Sequence, residues 1–139
     1  MIGIVGIRLN EGEIKIKEDS PPKEITIDLK LDKISKTEDP AVADVKFIYS
    51  IIYAPNSALV QLGGEVLVSD APDAIDKLVK SWKEKHRIEE EPATIIMNTI
   101  NSYVSLNALF ILRVFNLPPH ISPPAILPPQ KMPPQKKQK

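Results

Sequence analysis

The sequence contains no cysteine and two histidines among its 139 residues. The absence of cysteine excludes disulfides, thiolate zinc sites and cysteine nucleophiles, and a cysteine-free chain of this size is typical of a reducing compartment. Neither His86 nor His120 stands at a zinc-site spacing from another ligand residue. We therefore expect a cytoplasmic protein that holds no metal and no cofactor.

Long apolar runs are missing as well. The most apolar segment, residues 105–117, is interrupted by Asn107, Arg113 and Asn116. No stretch reaches the roughly 18 uninterrupted apolar residues that indicate a membrane-spanning helix. Residues 1–9 are apolar but lack the basic region and the small-residue cleavage site of a signal peptide. These patterns predict a chain without a membrane span or a signal peptide.

The sequence also lacks catalytic and nucleotide-binding motifs. Gly3 and Gly6 lack the rest of a dinucleotide-binding fingerprint, and Gly63 and Gly64 lack the lysine and hydroxyl of a phosphate loop. The carboxylates are scattered over loops and helix ends, without the shared pocket that paired acid–base catalysis needs. The sequence therefore indicates no enzyme.

The formal net charge is zero, but the charges are distributed unevenly. The last ten residues hold four lysines and no acidic residue, so residues 1–129 carry 14 basic and 18 acidic side chains. An acidic body disfavours nucleic acid as the main ligand. Residues 130–139 have little to pack, and we expect them to form a disordered basic tail behind a single domain of residues 1–129.

Four segments have the pattern of strands. Residues 24–34 form one of them: from Ile25 to Asp32, apolar and polar side chains alternate strictly, which is typical of a strand with one buried face. The other predicted strands span residues 2–17, 45–53 and 58–69, with bulges near residues 10–12 and at Gly63 and Gly64. No helical crossover separates them, so the pattern predicts a four-stranded antiparallel meander.

The second half has helical periodicity, which makes the predicted fold class α+β. An amphipathic helix is expected over residues 71–87, and a second, longer helix from about Pro92 to residue 116. The last turns of the second helix are apolar on nearly every side, and one sheet covers one side only. We expect another copy of the chain, in a homodimer or homotetramer, to contact the oligomer-interface candidates Leu109, Phe110, Leu112, Val114 and Phe115.

Eight of the fourteen prolines lie between Pro118 and Pro134, in pairs that recur every five residues. Ile121, Ile126 and Leu127 stand between the pairs, and a polyproline-like segment with apolar side chains is expected to lie against the body of the domain. The chain thus combines a sheet, two helices and an extended proline-rich segment.

In this order of parts the chain resembles the SecB-like chaperones. The resemblance rests on the alternating strand that follows Pro21 and Pro22, on the strand that contains Gly63 and Gly64, and on the long helix that runs into the proline pairs. It implies a sheet-and-helix fold that assembles through the helix and the sheet edges, and a role in holding polypeptides and in protein transport. The helix over residues 71–87 departs from the family, as does the lack of a short final helix.

Two functions are consistent with these patterns. The first is a passive chaperone that binds unfolded polypeptides. Its candidate polypeptide-binding residues are Ile48 and Ile52, on the second face of the third strand, with Ile121, Ile126 and Leu127 at the rim of the binding site. The second is a structural or assembly subunit that binds one fixed protein partner without catalysis. Binding of many unrelated chains distinguishes the first from the second.

Overall fold

The computed structural model of the chain describes residues 2–18 and 21–120. The chain forms four strands followed by two helices, and the α+β fold class predicted from the sequence is confirmed. The elements in chain order are β1 (Gly3–Ile16), β2 (Glu24–Lys36), β3 (Val42–Ala54), β4 (Ala58–Ser69), α1 (Pro72–Lys85) and α2 (Glu90–Val114).

The four strands form one antiparallel sheet in the order β1-β4-β3-β2. Strands β2, β3 and β4 make the expected meander, but β1 lies beside β4 instead of beside β2. The connection from β1 to β2 explains this correction. Lys17 donates its backbone N–H to the Ser57 carbonyl at 2.8 Å, and Lys23 donates to the Ala54 carbonyl at 2.9 Å. Both ends of the connection are thus bonded to residues at the β3–β4 turn, and β2 begins at the opposite edge of the sheet from β1.

The sheet has a β-bulge beside Gly63 and Gly64, but the extra residue belongs to β1 and not to β4, which carries the two glycines. The pairing of β1 with β4 shifts between Leu9 and Glu11, opposite the two glycines, whereas the pairing of β4 with β3 stays regular there. The predicted bulge in β1 is confirmed, and the one predicted in β4 is wrong. A Cβ at Gly64 would overlap the Arg8 carbonyl oxygen and lie 2.8 Å from Cζ of Phe47. Glycine is thus needed there for a close approach of backbone and ring.

The inner face of the sheet forms the core together with the two helices. Alternate residues of β3 are 0–1% exposed, as the periodicity predicts: Val45, Phe47, Tyr49, Ile51 and Tyr53. Helix α2 packs on this face through residues spaced four apart, each 0–1% exposed: Ile96, Ile100, Val104, Ala108 and Leu112. Burial of each such large side chain stabilises the fold by roughly 1.5–3 kcal/mol.

Helix α1 lies across the end of the sheet and places the start of α2. Ile75 and Leu78 are its buried residues, and an ion pair between Lys36 and Asp76 joins it to β2. Pro72 stands in the first turn, where its missing N–H costs no helical hydrogen bond. The helix ends at His86, which has a left-handed backbone conformation and donates its N–H to the Trp82 carbonyl at 2.8 Å.

Candidate polypeptide-binding surfaces

In its last turns, α2 is also apolar on the side that faces away from the sheet. Leu106, Phe110 and Val114 follow one another at four-residue spacing, and Phe110 and Val114 are 69% and 75% exposed. Together with Phe115, which caps the helix and is also exposed, they form the α2 outer stripe. Apolar side chains in such a contiguous exposed row are typical of a surface that contacts another molecule.

The five residues predicted to form the oligomer interface therefore differ in their exposure to solvent. Phe110, Val114 and Phe115 belong to the exposed α2 outer stripe, and Leu109 is half-buried. Leu112 is 1% exposed because it is the last residue of the row that packs on the sheet, so it offers no surface to a partner. Leu106 extends the exposed surface by one turn. The helical spacing from Phe110 back to Leu106 is the signal in the sequence that identifies it.

Beyond α2 the chain turns back onto the sheet. Asn116 has a left-handed backbone conformation, and Leu117 donates its N–H to the Leu112 carbonyl at 3.0 Å. The Tyr53 hydroxyl then donates a hydrogen bond to the Pro118 carbonyl at 2.6 Å. The segment after the helix therefore lies against β3, on the same face of the sheet as α2.

A cluster of polar groups holds this return in place, and we call it the tyrosine junction: Tyr49, Tyr53, Ser105, Pro118 and His120. The Tyr49 hydroxyl and Ser105 Oγ are 2.8 Å apart, and the His120 ring meets the Tyr49 ring edge-on with centroids 6.1 Å apart. Burial raises the pKa of Tyr53 to about 12, and burial also raises the pKa of Tyr49. Both tyrosines are therefore neutral hydrogen-bonding groups at physiological pH.

His120 packs in this junction without polar partners. Neither of its imidazole nitrogens has a hydrogen-bond partner in the described part of the chain, and burial lowers its pKa below the ordinary value of 6.5. The sequence places His120 in a proline-rich segment, and nothing in the sequence indicates its contact with Tyr49, which lies about 70 positions earlier.

The outer face of the sheet carries the two candidate binding residues of β3. Ile52 is 39% exposed and Ile48 is half-buried. In the register, Ile52 lies between Leu59 and Thr26, and Ile48 lies between Gly63 and Lys30. The two isoleucines thus share one face, as expected, with Ser50 between them. Ile52 and Leu59, which are paired, form a small apolar patch that Thr26 borders on β2. Ile121, Ile126 and Leu127 lie outside the described residues, as does the basic tail.

A polar cluster lies further along the same face. Glu65 accepts hydrogen bonds from Arg8 and from Asn10, each at 3.2 Å. The pKa of Asp44 is raised by burial and then by the neighbouring Glu65 carboxylate. The sequence does not indicate this cluster, because its members come from three different strands. Among residues 2–18 and 21–120, no group of three His, Cys, Asp or Glu side chains is placed to hold a metal ion.

A cleft of about 410 Å³ lies between α1 and the α1–α2 connection. Its floor is apolar, with Ile2, Leu78 and Ile88, and its rim is charged, with an ion pair between Lys77 and Glu89 at 2.8 Å. The hydrogen bond between the two side chains, followed by the attraction of their charges, raises the pKa of Lys77 and lowers the pKa of Glu89.

Within the described residues, α2 is long and apolar enough to cross a membrane by length and composition, with a mean hydropathy of 1.4 over its best window of 18 residues. The core helix of a soluble protein passes the same test. One row of α2, which includes Ile100 and Val104, packs on the sheet, and 33% of that window is buried. The absence of a membrane span stays a prediction of the sequence.

No protein-family model matches the chain, and no curated protein is similar to it. Among solved structures, the fold is similar to that of the Mycobacterium tuberculosis SecB-like chaperone Rv1957, which was solved in complex with a ChAD peptide from the HigA1 antitoxin Rv1956. The similarity has a TM-score of 0.55 at 12% sequence identity and covers 91% of this chain and 88% of that chain. At this identity the comparison shows a SecB-like fold, which is the fold that the resemblance in the sequence implies.

Proposed function

We propose that this protein is a passive polypeptide-binding chaperone that works as a homo-oligomer in the cytoplasm. The observation that carries the proposal is exposed apolar surface on a fold similar to that of a chaperone solved with a bound peptide. The α2 outer stripe would serve assembly, and Ile52, on the outer face of the sheet, would stay open to clients. Exposed apolar rows attract apolar segments of other chains through the hydrophobic effect, which needs no nucleotide. The proposal includes no catalytic step and no cofactor.

The α2 outer stripe is the proposed oligomer contact, with Leu109 at its border. The edge strand β1 adds a second surface, because Val5 and Ile16 are exposed there and an unpaired strand edge offers backbone groups to another strand. These two surfaces are suited to a homodimer or a homotetramer. Clients would then bind apolar surface that assembly leaves open, for which the candidates are Ile48 and Ile52 with Ile121, Ile126 and Leu127 at the rim.

The test is suppression of aggregation of an unrelated, heat-denatured protein without ATP. We expect the wild-type oligomer to suppress aggregation near a stoichiometric ratio. Ile52→Asp should weaken suppression while the oligomer persists in light scattering, whereas Gln61→Asp, an exposed polar position on the same face, should not. Equal suppression by the two variants would remove Ile52 from the client site, and no suppression by the wild type would contradict the chaperone function.

The small size of the patch around Ile52 favours a second candidate function. Thr26 borders the patch on β2, and a small patch with a polar neighbour is suited to one matched partner. In that case the protein is an assembly subunit with a fixed partner. Affinity purification from a lysate distinguishes the two, since a subunit retains a single partner in constant ratio and a chaperone retains many unfolded chains.

A further inference from the structure

Residues 118–120, which we call the latch, are held on the sheet by two contacts. The Tyr53 hydroxyl donates a hydrogen bond to the Pro118 carbonyl at 2.6 Å, and the His120 ring meets the ring of Tyr49 edge-on. Pro118 itself is exposed. A short surface segment with so little burial belongs to the least stable parts of a fold, which open without unfolding the rest.

The latch has a hinge at its start. Asn116 has a left-handed backbone conformation, and the bond from the Leu117 N–H to the Leu112 carbonyl, at 3.0 Å, closes the end of α2. Pro118 and Pro119 have no backbone N–H to donate. Rotation of the chain after Leu117 therefore breaks the two contacts of the latch and leaves the hydrogen bonds at the end of the helix intact.

His120 is a poorly satisfied group within the latch. Both imidazole nitrogens are buried, and neither has a hydrogen-bond partner within residues 2–18 and 21–120. A neutral imidazole carries one donor and one acceptor, whereas the imidazolium ion carries two donors and a charge. Burial of an unpartnered polar group costs free energy, and burial of an unpaired charge costs more. Uptake of a proton by His120 therefore weakens the closed latch.

The neighbouring elements offer His120 no compensating charge in the described part of the chain. Strand β3 presents the two tyrosines of the junction, which are neutral, and α2 presents Ser105, while Arg113 near the helix end is exposed. The inner face of β2 is apolar, because Asp28 and Lys30 lie on its outer face. Burial alone accounts for the lowered pKa of His120, in agreement with this geometry.

We infer that the latch is a proton-sensitive device, which lies on β3 while His120 is neutral and leaves the sheet when His120 binds a proton. Release removes the partner of the Tyr53 hydroxyl and uncovers the ring of Tyr49. An exposed imidazole has an ordinary pKa of 6.5. The ratio of open to closed chains should therefore rise by up to tenfold per pH unit as the pH falls from 6.5 to the lowered pKa. This device does not depend on the proposed chaperone function.

NMR of selectively labelled tyrosine rings in the full-length chain tests the device, because the chain has three tyrosines. Tyr53 reports release, since its partner is Pro118, and Tyr103, which is outside the junction, is the internal control. We expect the Tyr53 resonances to shift with the same midpoint as the imidazole of His120, below pH 6.5, while those of Tyr103 stay constant. Tyr53 resonances that stay constant through the titration of His120 would overturn the inference.

Two substitutions separate charge from packing. His120→Arg carries a permanent charge, so we expect the Tyr53 hydroxyl to exchange with water at least tenfold faster at pH 7.5 than in the wild type. His120→Phe cannot bind a proton, so its Tyr53 resonances should stay at the neutral position at a pH where the wild type has opened. The control His86→Asn, which removes the other histidine, should open in acid as the wild type does.

Three results would overturn the device. They are equal hydroxyl exchange in His120→Arg and the wild type, acid opening of His120→Phe, and loss of acid opening in His86→Asn. Circular dichroism shows whether His120→Arg is folded. If that variant unfolds, the titrations of the wild type and His120→Phe decide on their own, because opening in the first and none in the second is the result that the inference requires.

Discussion

Over its last turns, α2 is apolar both on the side that faces the sheet and on the side that faces away from it, but the two environments are opposite. On one side, the row from Ile96 to Leu112 is 0–1% exposed against the sheet, and on the other, Phe110 and Val114 are 69% and 75% exposed. The difference shows that apolar character alone does not decide which side of a helix forms the core. The sheet covers one side of α2 and leaves Phe110 and Val114 on the other side exposed.

The largest expected effect comes from the buried side. Ile100→Ala removes packed atoms that the surrounding core cannot replace, and we expect the free energy of unfolding to fall by about 2–5 kcal/mol. Denaturant unfolding followed by circular dichroism measures this loss. A loss well below 1 kcal/mol would mean that the buried row does not support the fold as described.

A substitution on the exposed side of α2 should affect assembly and not folding. Phe110→Asp places a charge in the α2 outer stripe, and we expect the oligomer to dissociate while the secondary structure persists, because Phe110 has few contacts within its own chain. Light scattering and circular dichroism check the two parts. Ser102→Asp, an exposed polar position on the same helix, is the control and should leave the oligomer intact.

A smaller effect is expected from the junction that joins α2 to the sheet. Burial lowers the pKa of His120 below 6.5, so the unfolded chain binds this proton more readily than the folded chain does. The stabilising contribution is complete above about pH 6.5 and is lost as the pH falls from 6.5 through the lowered pKa. NMR titration of His120 measures the pKa directly, and His120→Gln should flatten this part of the stability profile. A pKa above 6.5 would contradict the packing on Tyr49.

The smallest effect is expected at the end of the chain, far from both sides of α2. Residues 130–139 are polar and rich in lysine, so we expect their deletion to leave the melting temperature nearly unchanged. Differential scanning calorimetry of the full and shortened chains makes the comparison. A drop of many degrees would show that the tail packs on the body or on a neighbouring chain.

Sequence periodicity predicts the elements well where one face is buried. The alternation in β2 and β3 and the i, i+4 rows in α1 and α2 identify the strands, the helices and most of the core, because burial on one side is repeated at the period of the element. Helix limits agree within a few residues. The strand order is harder to predict from the sequence, because the position of β1 in the sheet depends on hydrogen bonds of Lys17 and Lys23 to a distant turn.

The periodicity of apolar residues also predicts part of the candidate binding surfaces. The excess of apolar residues at the end of α2 predicts a second contact surface, but the sequence does not separate Leu112 from Phe110. Their assignment depends on how far the helix has rotated relative to the sheet. The tyrosine junction is inaccessible to sequence reasoning, because its groups are distant in the chain and each has an ordinary local context.

The proposed chaperone function requires that the protein bind unfolded polypeptides without preference for one partner. Fluorescence anisotropy with several unrelated, labelled and permanently unfolded chains, in the absence of nucleotide, tests it most directly. The account predicts that all of them bind with dissociation constants within about tenfold of each other, since burial of apolar surface is non-directional. Failure to bind any of these chains, combined with tight binding of one folded partner, would contradict it.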